Sequence, residues 1–204
     1  MFFDNGKVLM TKAYFNQQAH IWDEKIAEKD TAKLERIANC LTIEPSATIL
    51  DVGTGTGIFL PYLLSRVGTA GKIIAIDHAE KMLLKAKAKN FVGNINFLCG
   101  DVSAIPLADE YCDAVVCYSS LPHFPDKLKA MLEIKRILKK GGRVFICHSS
   151  GRAHINAIHR QIPTVQNDLL PDAIEMMTLL TNAGFTEIKV EDKIDSYFAC
   201  GRKV

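Results

Sequence analysis

The sequence contains no long hydrophobic run, no basic N-terminal start followed by an apolar stretch, and little net charge of either sign. No apolar run approaches the ~20 residues that a transmembrane helix requires, and the N-terminus does not resemble a secretory leader. The formal net charge of +2 lacks the basic footprint of proteins that bind nucleic acid or anionic membranes. We therefore expect a cytoplasmic protein without a membrane or nucleic-acid partner.

The sequence also lacks a cysteine pair at C-x-x-C spacing, which would favour a redox or metal site. Most of its six cysteines lie in apolar, strand-like runs such as those that contain Cys117 and Cys147. Disulfide frameworks are typical of short secreted chains, whereas this pattern favours reduced thiols buried in a core. With 204 residues, of which 48% are hydrophobic, one domain can bury such a core without disulfides or metals.

Short apolar strands alternate with amphipathic helices, and this alternation predicts an α/β fold with a doubly wound parallel sheet. Strands are expected at 48–52, 72–77, 95–99, 113–118 and 143–148, and two closing strands at 186–194 and 196–203 are close enough to form an antiparallel hairpin. Helices are expected at 11–30, 31–42, 57–67, 79–90, 126–140 and 171–183, with Gly141-Gly142 as a stop signal. Residues 149–170 show no clear strand and few helix signals, which is typical of a functional loop.

A glycine-rich turn follows the first strand in the segment Ile49-Leu-Asp-Val-Gly-Thr-Gly-Thr-Gly57. Three alternating glycines let the backbone pass close beneath a ligand, and the next helix offers its free N–H groups to an anionic group. Asp77 ends the second strand, about 20 residues further on, where a carboxylate can accept hydrogen bonds from both hydroxyls of a ribose. The pattern therefore predicts a nucleotide-type ligand.

Two nucleotide chemistries compete for this turn. A nicotinamide-binding loop, G-x-G-x-x-G, requires glycine at position 58, where this chain has Ile58, and the sequence has no Tyr-x-x-x-Lys pair. These departures argue against a nicotinamide-dependent Rossmann oxidoreductase. A non-catalytic module that only binds the nucleotide stays open, because its binding motifs would be the same.

With Asp51 before it, the turn reads D-x-G-x-G-x-G, which resembles the first motif of the class I S-adenosylmethionine-dependent methyltransferases. The likeness continues through Cys99-Gly-Asp101, Tyr111-Cys-Asp113, Leu121-Pro-His-Phe and Glu133-Ile-Lys-Arg-Ile-Leu-Lys-Lys-Gly-Gly142. Residues 46–149 are similar to the small-molecule branch of the ubiquinone/menaquinone-biosynthesis C-methyltransferase type. The resemblance implies a seven-stranded Rossmann-like methyltransferase sheet in the order 3-2-1-4-5-7-6, with the last strand antiparallel. We expect one domain over 1–204, with a helical cap at 1–45 and a substrate lid at 149–170.

The resemblance also implies S-adenosyl-L-methionine as cofactor and assigns residues to it. The glycines and Asp51 would face its amino-acid end, Asp77 its ribose, and Asp101 its adenine, with a backbone contact from Val102. The cofactor-binding set is Asp51, Gly53, Thr54, Gly55, Gly57, Asp77, His78, Asp101, Val102 and Tyr118.

Methyl transfer needs a base only if the acceptor is a weak acid, and histidine titrates near neutrality. His123 and His148 follow strands four and five, so they are the candidate catalytic residues. The acceptor set is Tyr14, Trp22, Arg152, His154 and His159, with Arg152 available for an anionic group.

No metal is predicted. The alternative is a site in which His154 or His159 joins His123 and His148. His154 and His159 could share the metal only if their segment is not helical, since residues five apart diverge on a helix.

The acceptor itself is not readable, but one class is disfavoured. The exit of strand four is Tyr118-Ser-Ser-Leu-Pro122, whereas enzymes that methylate amino groups of nucleic acid bases resemble Asn/Asp-Pro-Pro-Tyr there. We therefore predict methyl transfer to a small-molecule acceptor. A homo-oligomeric state is left open.

Overall fold

A seven-stranded sheet forms the centre of the computed structural model, which describes residues 5–25 and 30–204. The strands are β1 (Thr48–Val52), β2 (Lys72–Asp77), β3 (Ile95–Cys99), β4 (Cys112–Tyr118), β5 (Leu138–His148), β6 (Thr186–Asp192) and β7 (Tyr197–Arg202). Their order is β3-β2-β1-β4-β5-β7-β6, and β7 runs antiparallel to both of its neighbours. The predicted fold class and strand order are confirmed, and the closing strands pair as the predicted hairpin.

The helices flank this sheet. They are α1 (Asn5–Gln18), α2 (Trp22–Lys25), α3 (Thr31–Cys40), α4 (Leu60–Val67), α5 (Glu80–Ala88), α6 (Lys127–Ile137), α7 (Arg152–Arg160) and α8 (Ala173–Asn182), and a 3₁₀ turn spans Leu121–His123. Aspartates cap several of them, because a carboxylate accepts hydrogen bonds from the free N–H groups of a first turn. Asp172 makes a full capping box with Glu175 at the start of α8.

The central strands β1, β2 and β4 are buried on both faces, which explains why they are apolar along nearly their whole length, whereas the edge strand β3 is only partly buried. Leu50 belongs to a cluster that includes Met131 of α6 and Met176 of α8. Its neighbour Ile49 belongs to the opposite cluster, with Leu34 of α3 and Leu63 of α4. The carboxyl ends of the parallel strands are left for a binding site.

Three predicted segments are corrected. The helix expected at 11–30 is divided: α1 ends at Gln18, a turn follows, and α2 covers Trp22–Lys25. The turn is closed by a hydrogen bond from Ile21 N to Gln18 O and lets rings from both helices meet. The remainder of that prediction, 26–29, lies outside the described residues.

The helix expected at 126–140 ends at Ile137, not at the glycine pair. Leu138 is fully buried and pairs with Cys112, so the chain becomes extended before Gly141. Burial of Leu138 and its pairing with β4 stabilise the extended conformation here, so the helix ends before the glycine pair that was expected to end it.

The loop expected at 149–170 contains helix α7. Ile155 is buried and Ile158, although exposed, lies beside it at helical spacing, so the segment has an amphipathic helical pattern that the prediction of a loop overlooked. Residues 161–170 then return over a series of turns.

Four of the cysteines, Cys112, Cys117, Cys147 and Cys200, are buried and free, as predicted; Cys40 and Cys99 are free and exposed. Within residues 5–25 and 30–204, none of the helices combines the length and apolar character needed to cross a lipid bilayer.

Candidate active site

The glycine turn follows the carboxyl end of β1, and its glycines have the left-handed backbone conformation. Gly53 has φ +71°, and a Cβ there would lie closer than 3.0 Å to the Cβ of Ser120. Ser120 cannot easily move, since its Oγ donates a 2.7 Å hydrogen bond to Val52 O. Gly53 N donates to Ile76 O at 2.8 Å, so the turn is fixed to β2. Gly55, with φ +55°, has no atom within 4 Å of where a Cβ would stand, so open space lies above it.

Asp77 holds the turn in place. Its Oδ2 accepts a 2.8 Å hydrogen bond from Gly55 N, and its Oδ1 accepts one of the same length from Ala79 N. Nδ1 of His78 also lies 3.6 Å from Oδ1. A carboxylate has about four lone-pair sites, and Asp77 lines the cavity described below, so it can also accept from a ligand. Burial raises the pKa of Asp77, and the hydrogen bonds from Ala79 and Gly55 oppose that shift.

Asp51 lies beneath the turn rather than in it. Only 2% of its surface is exposed, and it does not line the cavity described below. Burial, and secondarily the charge of Asp77, raises the pKa of Asp51 to about 7. Gly57 also turns away from the cavity, because a Cβ there would meet Leu60 and Phe91.

One cavity of about 660 Å³, here called the chamber, opens at the carboxyl ends of β1, β2, β4 and β5. Its first end is formed by the glycine turn and by residues after β2 and β3, and its second end by histidines and by aromatic residues of α1 and α2. Of the predicted site residues, it is lined by Gly53, Thr54, Gly55, Asp77, His78, Asp101, Val102, Tyr118, His123, His148, Tyr14, Trp22, His154 and His159. The chamber therefore brings together most of both predicted sets.

Helices α1 and α2 cover one side of the chamber. The rings of Tyr14, Phe15 and Trp22 meet edge to face, with centroids 5.3 and 5.4 Å apart, and Phe15 also packs on His123. Polar contacts fix the helices to the sheet: Asp23 accepts a hydrogen bond from Thr56 Oγ1 in the glycine turn. This cap is therefore joined directly to the turn.

His123 belongs to a cluster centred on Asp168, which is 0% exposed. Nδ1 of His123 lies 3.0 Å from Oδ2 of Asp168, and Lys7 Nζ lies 2.9 Å from Oδ1. Nδ1 of His159 is hydrogen bonded to the backbone carbonyl of Asp168. Burial alone would raise the pKa of Asp168, but hydrogen bonds from His123 and Lys7 hold it below its ordinary value. Burial lowers the pKa of His123, more than Asp168 raises it.

His148 has a different environment. It is 2% exposed, lines the chamber, and its Nε2 is buried without a hydrogen-bond partner among the described residues. Burial, with His123 and His159 nearby, lowers the pKa of His148 to about 3. The ring is therefore neutral near pH 7 and presents an unused polar atom to a ligand.

Arg152 does not take the predicted place. It is absent from the chamber wall, and its Nε donates a 2.7 Å hydrogen bond to Asp192 on β6. Arg152 is thus a contact between α7 and the sheet rather than an anion site for the acceptor. His154 and His159 both line the chamber from α7.

No group of three or more His, Cys, Asp or Glu side chains that could hold a metal ion occurs in 5–25 and 30–204. The requirement for a non-helical segment also fails, because His154 and His159 lie on one helix. Burial raises the pKa of Cys117 well above its ordinary value, so this core thiol stays protonated.

Sequence reasoning missed Asp168 and the structural role of Asn156. Asn156 is buried and makes two hydrogen bonds with the backbone of Leu170. Its Nδ2 donates to Leu170 O at 3.1 Å, and its Oδ1 accepts from Leu170 N at 2.8 Å. These two bonds close the return of the chain after α7 and so place Asp168. Locally the sequence shows two polar residues, one on α7 and one in the turns after it, and nothing next to them indicates what they contact.

Comparison with known proteins finds similarity to methyltransferases in each case. Residues 50–146 match the family model described as a methyltransferase domain. The chain is 41% identical over 106 residues to demethylmenaquinone methyltransferase from Lactococcus lactis, covering 50% of this chain and 42% of that protein. It is 28% identical over 158 residues to arsenite methyltransferase from Halobacterium salinarum, covering 74% and 40%. The solved structure of a SAM dependent methyltransferase from Aquifex aeolicus has a TM-score of 0.71 and 25% identity, over 89% of this chain and 96% of that chain.

Proposed function

Since the chain belongs to the class I S-adenosylmethionine-dependent methyltransferases, we propose that it transfers a methyl group to a small, uncharged molecule bound in the chamber. The chain spans less than half the length of the two curated relatives, so their acceptors are not carried over. The observation that supports the proposal is the continuity of the chamber. One cavity of about 660 Å³ is lined both by the glycine turn and by a group of histidines, so that two ligands can meet in it.

The first end of the chamber fits S-adenosylmethionine. The space above Gly55 accepts a ligand against the backbone, and the Asp77 carboxylate in the chamber wall is proposed to accept hydrogen bonds from the ribose hydroxyls. Asp101 lies further along, with Oδ1 accepting a 2.7 Å hydrogen bond from Ser103 N, and is proposed to meet the adenine. The cofactor supplies a methyl group activated by the positive charge on sulfur. The protein then has to orient the acceptor and exclude water.

The second end suits an acceptor with an apolar body. Aromatic rings of α1 and α2 and the isoleucines of α7 provide its walls, and we assign Tyr14, Trp22, His154 and His159 to acceptor contacts. Residues 1–204 are proposed to form one catalytic unit, with 1–45 as its cap and 149–170 as its lid. The free cysteines suit a reducing compartment, which is why we propose the cytoplasm.

Calorimetry tests the cofactor assignment. S-adenosylmethionine and S-adenosylhomocysteine should bind, and NAD should not, because Ile58 stands where a dinucleotide loop has glycine. Asp77→Ala should weaken S-adenosylhomocysteine binding by about 2–3 kcal/mol. Asp192→Asn, which changes a carboxylate outside the chamber, is the matched control. Tighter binding of NAD than of S-adenosylhomocysteine would contradict the proposal.

An acceptor screen that detects release of S-adenosylhomocysteine tests the reaction. Turnover with small uncharged molecules is the expected result. Cofactor binding without any turnover across the panel would instead indicate a non-catalytic binding module.

A further inference from the structure

We propose that Asp168 is a positioning residue that fixes His123 as the general base for an acceptor hydroxyl. The inference rests on the proposed function and names the acceptor class. The carboxylate of Asp168 faces His123 on one side and Lys7 on the other, at 3.0 and 2.9 Å. His123 itself lines the chamber, with 16% of its side chain exposed.

The partners of Asp168 determine where the imidazole proton sits. An ionised carboxylate only accepts hydrogen bonds, so Nδ1 of His123 carries the proton and donates it to Oδ2. In a neutral ring Nε2 then has a free lone pair, and no described residue hydrogen bonds to it. His159 points its own Nδ1 proton at the backbone carbonyl of Asp168 and so does not compete for Oδ2. His123 is thus held in the tautomer that can accept a proton from the chamber.

Burial favours the neutral form of His123 at rest. Among the groups around the ring, Asp168 favours the protonated form, and His159 and Lys127 oppose it. Lys7 neutralises part of the Asp168 carboxylate, and His148 is neutral near pH 7. At the acceptor end, Asp168 is the buried carboxylate, and it is already paired. A protonated amine would find no free carboxylate in this part of the described chamber wall. An uncharged hydroxyl has a proton to lose and needs a base to lose it.

The reaction balances within this geometry. The acceptor oxygen forms its bond to the methyl carbon while its proton passes to Nε2 of His123. The electron pair of the broken carbon–sulfur bond stays on sulfur. One positive charge therefore leaves sulfur and one appears on His123, beside Asp168, so the net charge of the chamber is unchanged. Nε2 of His148, which has no partner among the described residues, offers the hydroxyl, or a second polar atom of the acceptor, a hydrogen bond.

Asp168→Asn tests the positioning role with a defined change. Lys7 can only donate, so the carboxamide oxygen should face Lys7 and the amide N–H₂ should face Nδ1 of His123. The ring is then driven into the opposite tautomer, with its proton on Nε2. Long-range ¹H–¹⁵N spectra of the histidine side chains, with His123→Gln to assign the signal, report this directly. We expect Nδ1–H in the wild type and Nε2–H in Asp168→Asn. The wild-type tautomer should persist in Asp192→Asn, which removes a carboxylate contact to Arg152 of α7 and leaves Asp168 in place.

Turnover gives the second readout, with unsubstituted phenol and the more acidic 4-nitrophenol as probes. Asp168→Asn should lower kcat for phenol by about 10²–10⁴-fold while leaving S-adenosylhomocysteine affinity unchanged. The loss should be smaller for 4-nitrophenol, which ionises without help, and Asp168→Glu should recover part of the activity. The rate with phenol should rise with pH as His123 loses its proton.

Four results would overturn the assignment. They are an Nε2–H tautomer of His123 in the wild type, a kcat of Asp168→Asn equal to that of Asp192→Asn, an equal loss for both phenols, and turnover of amines or thiols but of no phenol. A wild type that methylates nothing contradicts the proposed function instead, and the tautomer measurement still decides whether Asp168 sets the state of His123.

Discussion

Replacing Gly53 by alanine should destabilise the protein much more than the same change at Gly55. Both glycines have positive φ, so each alanine is strained by about 1–2 kcal/mol. Alanine also restricts the unfolded chain, which offsets about 0.4–1 kcal/mol at either position. Only at Gly53 does the new methyl group also collide with Ser120, and such overpacking costs about 1–3 kcal/mol. We expect Gly53→Ala to lower the free energy of unfolding by about 2–4 kcal/mol and Gly55→Ala by about 1 kcal/mol.

Urea unfolding of the apoprotein measures both losses, and a double-mutant cycle isolates the collision. Ser120→Gly removes the Cβ that Gly53→Ala would strike, so the double variant should be more stable than the sum of the single losses predicts, by about 1–3 kcal/mol. Calorimetry should rank the two variants in the opposite order for ligand affinity. Gly55→Ala, whose methyl group enters the chamber, should lose more S-adenosylhomocysteine affinity than Gly53→Ala does, and more affinity than stability. Equal stability of the two alanine variants, or an additive cycle, would refute the reasoning.

The other predictions concern two buried titratable groups and one buried amide. His148 has a pKa of about 3 in the folded protein, against 6.5 ordinarily, so the unfolded chain binds its proton first. The free energy of unfolding therefore decreases as pH falls from about 6.5 to about 3. His148→Gln should remove this slope, about 1.4 kcal/mol per pH unit, from urea unfolding measured between pH 4 and 6. Asp51 acts in the opposite sense: its pKa is about 7, against 3.8 ordinarily, so its contribution is lost as pH rises from ~4 to 7. Asp51→Asn should therefore make the free energy of unfolding rise more steeply with pH. For either variant, a plot of the free energy of unfolding against pH that is parallel to that of the wild type would contradict the shifted pKa assigned to the replaced residue. Asn156→Ala should lower the free energy of unfolding by about 2–4 kcal/mol, because it leaves the N–H and C=O of Leu170 buried without partners. The exposed Asn167→Ala is its control, and an equal effect of both would exclude the buried amide as the cause.

The fold was predictable because its signals are local. Each parallel strand is a short apolar run beside a helix, and buried strands of this kind must pair in a sheet covered on both faces. The prediction of secondary structure was wrong where a contact with a residue far away in the sequence determines the conformation. Leu138 joins β5 because Cys112 lies opposite, 26 positions earlier in the chain, and no window around Gly141 contains that information.

The site divides in the same way. The place of Gly53, Gly55 and Asp77 in the chamber wall was predictable, because it follows from one strand, one turn and the end of the next strand. Asp168 was missed because nothing near it in the sequence indicates what it contacts. Its partners come from α1 and the 3₁₀ turn, and its position depends on the Asn156 amide.

The two ends of the chamber therefore carry different kinds of information about function. The methyltransferase family model covers residues 50–146, which include the glycine turn, Asp77, Asp101 and His123. The aromatic residues of α1 and α2, His148 and the whole of α7 lie outside that range. Similarity to the family accordingly supports the cofactor end, whereas most of the walls that would select the acceptor, His123 excepted, belong to segments outside the matched domain. For this reason the acceptor has to be argued from the chemistry of Lys7, Asp168 and His123, and an acceptor named for a relative does not identify the one used by this chain.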